Sequence, residues 1–231
     1  MNTHNYYIKL SVFKIFISSE NALQEYDNIQ KINLKLGPGE YNKYMVNYYH
    51  RPYDTLHSQY DREYHNEHVL VSDFILDMAP PTLGGTVRSV DELIEKLKRD
   101  VTYKSLFKVL NLLHSHNIYH RDIKPGNTMI TQGSTEMRRL HNPKFILIDF
   151  GCVTDFDKLT DADYNPNIGT QNYLSPFIHK ISGLGDDLEQ FGSILRANDF
   201  WAMALTYVKY ITGQEWTSLV CLLYTSDAAD D

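Results

Sequence analysis

The residues best suited to chemistry lie in two short segments, 120–127 and 149–151. The first reads His-Arg-Asp-Ile-Lys-Pro-Gly-Asn and the second reads Asp-Phe-Gly. In chain order they supply an acid that can accept a hydroxyl proton, a cation for a phosphate and two oxygen ligands for magnesium. The residues in that order are Asp122, Lys124, Asn127 and Asp149. The set favours phosphoryl transfer.

Two predicted strands hold the metal-binding candidates in place. Residues 128–131 and 145–148 are short strand-like runs joined by a polar turn, so Asn127 starts one strand and Asp149 follows the other. Upstream, Leu106, Leu110 and Leu113 repeat at helical spacing, which predicts an amphipathic helix over residues 103–115. That helix delivers the chain to residues 120–127.

Four motifs in order resemble the protein kinase superfamily. Residues 120–127 and 149–151 match its H-R-D-x-x-x-x-N and D-F-G signatures. Residues 169–176, Gly-Thr-Gln-Asn-Tyr-Leu-Ser-Pro, resemble the end of a kinase activation segment, and residues 199–204 resemble the start of the buried F helix. Lys124 and Thr170 are typical of the serine/threonine subclass. The resemblance covers residues 69–213.

The resemblance implies an α+β fold with two lobes, a small β-rich N-lobe and a mainly helical C-lobe, both truncated. We expect residues 1–79 to form part of the N-lobe and the hinge, and residues 80–216 to form part of the C-lobe. Residues 217–231 continue no kinase element and resemble translated adapter sequence, so we interpret them as a non-native tail.

The start of the chain resembles the third strand and the C helix of a kinase N-lobe. Residues 6–16 have a strand-like pattern, and Ser18 or Ser19 can cap a helix in which Ala22, Tyr26 and Ile29 recur. On this register the resemblance assigns two residues to the ATP phosphates, the strand lysine and its ion-pair partner. They are Lys14 and Glu25.

A second set of residues is assigned to the nucleotide by resemblance. Residues 69–76 predict a strand that is broken by Asp-Met-Ala-Pro-Pro, which resembles the hinge between the lobes. Backbone groups near Asp77 and Ala79 would then hold the adenine. Met129, in the strand after Asn127, joins this ATP-binding set.

Gly37 and Gly39 offer an alternative phosphate-covering loop. The segment has Asn42 in place of a third glycine, and no lysine-bearing strand follows it. A Pro/Gly turn is therefore the favoured interpretation. A true glycine-rich loop would precede Lys14, where the chain has no glycine.

Several other polar residues have structural interpretations. His120 and Phe150 are expected to pack, and Cys152 is expected to be a small packing residue. Asp199 resembles the buried aspartate that holds the catalytic loop, and it could also cap a helix predicted over residues 201–211, which is apolar nearly all round and ends at Gly213. We expect His114 and His116 to lie on the surface or at a helix end. The acidic residues Asp155, Asp157, Asp161 and Asp163 are expected to form a solvated loop.

Composition limits the function classes. With 231 residues and 42% hydrophobic content, the chain can bury a core for one two-lobed domain or two small ones. The net charge of −7 disfavours nucleic acid and anionic membranes as partners. Two cysteines imply no disulfide framework, and no apolar run is long enough for a membrane span.

These properties predict a soluble, intracellular, cytoplasmic protein. The kinase resemblance implies that it acts on a protein substrate, and we expect a monomer. Abundant Tyr, Asn, Ile and Lys would suit an AT-rich genome such as that of a large DNA virus. In that case the location would be the host cell or the virion.

The sequence departs from the kinase pattern at three points. Phe177 replaces a glutamate, Ala204 replaces a glycine of the F helix, and the glycine-rich loop is absent. Our first hypothesis is an ATP- and magnesium-dependent serine/threonine protein kinase. The alternatives are a pseudokinase or scaffold without turnover, and a small-molecule phosphotransferase.

Overall fold

The computed structural model describes residues 11–16, 19–45, 48–52, 68–73, 78–79, 89–99, 103–131, 145–184 and 187–215. Strands β1 (Ser11–Phe16), β2 (Tyr48–Pro52) and β3 (His68–Asp73) form an antiparallel sheet in the order β1-β3-β2. The strands predicted over residues 6–16 and 69–76 are confirmed where the described residues include them. Lys14 lies opposite Leu70 in this sheet.

Two consecutive helices follow β1. Helix α1 (Ser19–Leu36) buries apolar residues at helical spacing, among them Ala22, Ile29 and Ile32. It ends at Gly37, whose φ of 75° suits glycine, and α2 (Pro38–Tyr44) then begins with a proline in its first turn. Helices flank Gly37 on both sides, which supports the turn and disagrees with a phosphate-covering loop.

A hairpin and two short strand pairs frame residues 120–127. Strand β4 (Met78–Ala79) pairs with β6 (Thr128–Thr131), which pairs with β7 (Phe145–Leu147). Strand β5 (Ile118–Tyr119) pairs with β8 (Thr154–Asp155). The predicted hairpin is confirmed.

The helical part is built from α3 (Val90–Arg99), α4 (Tyr103–Ser115) and α5 (Leu188–Thr212). The Glu92 amide donates to Ser89 Oγ at 3.2 Å, which is one half of a capping box at the start of α3. Helix α4 has its predicted bounds. One core cluster joins α1, α4 and α5 and includes Ile29, Ile32, Leu106, Leu110, Leu113, Ala202 and Tyr207.

Helix α5 is longer than the sequence predicted. It begins at Leu188, where the Asp187 carboxylate accepts from the Gln190 amide at 3.0 Å. Asp199 therefore lies inside the helix, and its interpretation as an N-cap is wrong. Although residues 201–211 are apolar nearly all round, they are not all buried, because Trp201 is 37% exposed. Gly213, at φ 72°, ends the helix as predicted.

The mixture of helices and strands confirms the α+β fold class. No helix among the described residues combines the length and the apolar character that a bilayer crossing requires.

Candidate active site

Asp122 lies at the centre of a compact hydrogen-bond network. Its carboxylate accepts from Lys124 Nζ at 2.9 Å and from Asn127 Nδ2 at 2.8 Å, both through Oδ2. Thr170 Oγ1 donates to Oδ1 at 2.6 Å and accepts from Lys124 Nζ at 2.7 Å. The structure thus brings three predicted residues together and adds Thr170.

The network keeps Asp122 charged. Burial alone raises the pKa of this carboxyl, but the Thr170 hydroxyl and the Lys124 ammonium outweigh burial and hold its pKa below the ordinary value. Asp122 is consequently ionised at neutral pH. An ionised carboxylate can accept a proton from a hydroxyl within hydrogen-bond reach.

The two magnesium candidates lie at adjoining strand ends. The Ile148 amide donates to the Asn127 carbonyl at 3.0 Å, so the residue before Asp149 is bound directly to Asn127. Asn127 Nδ2 donates to both the backbone carbonyl and the carboxylate of Asp122. The side-chain amide oxygen of Asn127 is then left for a cation. Asp149 has a positive φ of 66°. One neutral and one anionic oxygen fit magnesium, which takes its other ligands from phosphate and water.

Asp199 fixes the backbone that carries Asp122. Its carboxylate accepts from the His120 amide at 2.9 Å and the Arg121 amide at 2.8 Å. It is fully buried, and it also lies 2.9 Å from His114 Nε2. Arg121 has a φ of 65°, a conformation that is costly without such anchoring. The predicted contact between Asp199 and the loop is present in the structure.

His114 lies in the last turn of α4, so the helix-end prediction is confirmed, but it is not on the surface, since it is only 3% exposed. Its ring packs between Tyr119 and Phe200, each with a centroid distance of 5.2 Å. The signal was present, because His114 follows Leu110 by one helical turn and so falls on the buried face of α4. His116, at the helix end, is partly exposed.

The Arg121 side chain connects the catalytic loop to residues 154–165. Its Nη1 donates to Thr154 Oγ1 at 3.0 Å and to the Asp163 carbonyl at 2.8 Å, and Nη2 donates to the Asn165 carbonyl at 2.6 Å. The Asp163 carboxylate accepts from Thr154 Oγ1 and from both Thr160 donors, each at 2.8 Å. The prediction of a simple solvated acidic loop is therefore wrong for Asp163.

His120 and Phe150 pack against each other, with ring centroids 5.3 Å apart, as predicted. Both side chains are fully buried, and burial lowers the pKa of His120. Cys152 is a partly buried thiol whose pKa burial raises, which fits a packing role.

The predicted nucleotide-binding residues are only partly described. Glu25, on α1, is 1% exposed, and a Cβ added at Gly151 would lie 3.5 Å from its Oε2. Met129 packs with Ile146. The backbone of Ala79 pairs with Ile130. Two parts of the prediction lie outside the described residues and atoms: Asp77 and the Lys14 side chain.

The chain is similar to several known proteins. A family model described as the protein kinase domain matches residues 56–219. Mitogen-activated protein kinase kinase 9 of Arabidopsis thaliana is 27% identical over 150 residues, which cover 60% of this chain and 43% of that protein. Serine/threonine-protein kinase B of Synechocystis sp. is 27% identical over 122 residues, covering 53% and 19%.

Calcium-dependent protein kinase 3 of Plasmodium yoelii yoelii is 40% identical over 73 residues, covering 32% of this chain and 12% of that protein. The chain spans less than half the length of these curated relatives. A crystal structure of the Rad53 kinase domain and SCD2 aligns with a TM-score of 0.48 at 17% identity, covering 88% of this chain and 56% of the other. The kinase-domain model spans well over half of the sequence, and the chain belongs to the protein kinase domain family.

Proposed function

We propose that the protein transfers the γ-phosphate of ATP to serine or threonine hydroxyls of a protein substrate, with magnesium as cofactor. The observation that carries the proposal is the carboxylate of Asp122, which Lys124, Asn127 and Thr170 hold in its ionised form. A carboxylate base that is fixed beside a lysine cation can accept the proton of a substrate hydroxyl. This arrangement suits phosphoryl transfer to a hydroxyl.

Each residue of the network has a distinct role in the proposed reaction. Asp122 orients the substrate hydroxyl and accepts its proton. Lys124, 2.9 Å from that carboxylate, neutralises charge on the transferred phosphate. Asn127 and Asp149 would hold magnesium, which supplies charge neutralisation at the phosphate oxygens. Asp199 acts indirectly, by fixing the backbone on which Asp122 stands.

The nucleotide is assigned to Lys14, Glu25, Asp77, Ala79 and Met129, as the sequence predicts. The position of Glu25 beside Gly151 supports this assignment, because it places a carboxylate of α1 next to the magnesium candidate Asp149. Lys14→Met should then weaken binding of magnesium-ATP.

Two observations support serine/threonine specificity. Lys124 and Thr170, the two residues that resemble this subclass, contact each other, and Thr170 also contacts Asp122. Two relatives also carry serine/threonine-protein kinase in their names. We also propose that the protein is a monomer that acts within a cell.

The test is phosphate transfer from radiolabelled ATP to a generic protein substrate, followed by phosphoamino-acid analysis. Asp122→Asn keeps the size of the side chain but removes the base, so we expect kcat to fall about 10²- to 10⁴-fold. Asp149→Ala should remove activity by removing a magnesium ligand.

The outcomes separate the alternatives. Wild-type turnover in both variants would refute the assignment, and phosphotyrosine as the sole product would refute the subclass. Binding of magnesium-ATP without transfer would favour the pseudokinase. Transfer only to small hydroxylated molecules would favour the small-molecule phosphotransferase.

A further inference from the structure

One face of α1 brings three polar side chains close to residues 149–157, and the proposed function uses only the first. Glu25 Oε2 lies beside Gly151, and Asn28 Nδ2 donates to the Phe150 carbonyl at 3.0 Å. The third side chain is that of Lys35, in the last turn of the helix. At about 100° per residue, positions 25, 28 and 35 fall within an arc of about 80°. They therefore form one polar stripe.

Lys35 uses all three ammonium donors at the far end of this stripe. Its Nζ lies 2.6 Å from Asp155 Oδ1 and 2.7 Å from Asp157 Oδ2, and it donates to the His116 carbonyl at 3.4 Å. The side chain is 24% exposed and that of Asp155 is 14% exposed, so solvent screens this pair less than a surface pair. Burial lowers the pKa of Lys35, but the two carboxylates outweigh burial and raise it.

The partners of Lys35 belong to the part of the fold that carries the catalytic loop. Asp155 is in β8, which pairs with β5 immediately before residues 120–127, and His116 follows α4. The Phe156 amide also donates to the Asn117 carbonyl at 2.9 Å. Lys35 thus ties the C-terminal end of α1 to the segments that pack next to residues 120–127.

We propose that Lys35 is a positioning residue that fixes the rotation of α1 and so holds Glu25 at the nucleotide site. A helix turns as a rigid rod, so releasing its Lys35 end allows Glu25 to move away from Gly151. The ATP readout of this inference rests on the proposed function, whereas the position of α1 is measurable without turnover.

The experiment uses the full chain and two readouts for Lys35→Met. The affinity for magnesium-ATP, measured by displacement of a fluorescent ATP analogue, should fall roughly three- to tenfold. Amide hydrogen exchange over residues 19–36 should become faster, because α1 loses its anchor. The value of kcat at saturating ATP should stay within about twofold, since Lys35 contacts none of the residues around Asp122. Lys35→Arg should retain most of the wild-type affinity.

A double-mutant cycle distinguishes the ion pairs from a general loss of structure. Asp155→Asn with Asp157→Asn should reproduce the effect of Lys35→Met, and combining all three changes should add little more. Asp157→Asn alone should give a smaller change in the same direction, which keeps the test valid if Lys35→Met does not fold.

Lys31→Met is the matched control, because Lys31 is on the same helix and forms no ion pair with the described residues. Unchanged ATP affinity and unchanged exchange in Lys35→Met, or full additivity in the cycle, would overturn the proposal. If the wild-type protein transfers no phosphate, only the proposed function is refuted. Amide hydrogen exchange in α1 would still report on the role of Lys35.

Discussion

At the scale of single residues, two neighbours of Asp122 lower the pKa of its carboxyl. The Thr170 hydroxyl and the Lys124 ammonium lower the pKa of the carboxyl against the opposing effect of burial. A depressed folded-state pKa contributes stability above the unfolded-state pKa, and this contribution is lost as the pH falls through the folded-state value. Both the activity and the stability of the protein should therefore respond to Thr170.

Thr170→Val removes one donor at nearly constant volume. We expect the pKa of Asp122 to rise, so the acid limb of the kcat/KM profile should move to higher pH. The free energy of unfolding at neutral pH should fall by roughly 1.5–3 kcal/mol, the contribution of a hydrogen bond to a charged group. Rate profiles and urea unfolding measure these effects. Thr170→Ser is the control, and an unmoved acid limb in Thr170→Val would contradict the prediction.

The sequence predicts the residues of the candidate site better than it predicts the residues that position them. Asp122, Lys124 and Asn127 were recognisable because the motif holds them within six positions of the chain. Lys35 and its partners Asp155 and Asp157 were not, because the contact joins residues about 120 positions apart and no local pattern encodes it. His114 could have been placed from its helical spacing.

At the scale of elements, the segment of residues 169–176 contacts the loop of residues 120–127 at Gly169. Its φ is 108°, and a Cβ added there would lie 2.3 Å from the Arg121 carbonyl oxygen. Only glycine allows so close an approach between the two backbones. The contact also sets the position of the adjacent Thr170, which bonds to Asp122.

Gly169→Ala should separate these two elements. We expect the free energy of unfolding to fall by about 1–3 kcal/mol from backbone strain and kcat to fall with it, because Thr170 moves away from Asp122. Gly183→Ala is a suitable control, since a Cβ there has no atom within 4 Å. Denaturant unfolding and kinetics on both variants provide the measurement. Wild-type stability and kcat in Gly169→Ala would show that the close approach is unimportant.

Helices α4 and α5 show when the bounds of a helix can be predicted from the sequence pattern. Helix α4 has both a clear apolar stripe and polar flanks, so its bounds followed from the sequence. The first half of α5 mixes polar with apolar residues and is interrupted by Gly192, so the apolar run from Trp201 onwards dominated the prediction and hid the true start at Leu188. Gly192 is tolerated because a Cβ there would lie only 3.0 Å from the Tyr119 hydroxyl, a packing requirement that no local propensity reveals.

For the whole molecule, nucleotide binding should couple to stability. A ligand that binds only the folded state stabilises it, by about 2.7 kcal/mol at a hundred times its Kd. For a chain of this size, that corresponds to a rise in Tm of about 5–10 °C.

Magnesium-ATP should therefore raise the Tm of the wild-type protein, and chelation with EDTA should remove most of the rise. Asp149→Asn should lose the magnesium-dependent part, because it removes the anionic ligand. Differential scanning fluorimetry can measure all three, with magnesium alone as control. An equal rise for ATP in EDTA would exclude a role for the metal in nucleotide binding.

For the proposed transfer, the network at Asp122 also predicts which oxygen would receive the proton. An ionised carboxylate has about four acceptor positions, two on each oxygen. Oδ2 already has two donors, from Lys124 and Asn127, whereas Oδ1 has one, from Thr170. The remaining lone pair is therefore on Oδ1, and a crystal structure with a serine peptide should place the hydroxyl about 3 Å from Oδ1. A hydroxyl placed against Oδ2 would show that a donor leaves when the substrate binds.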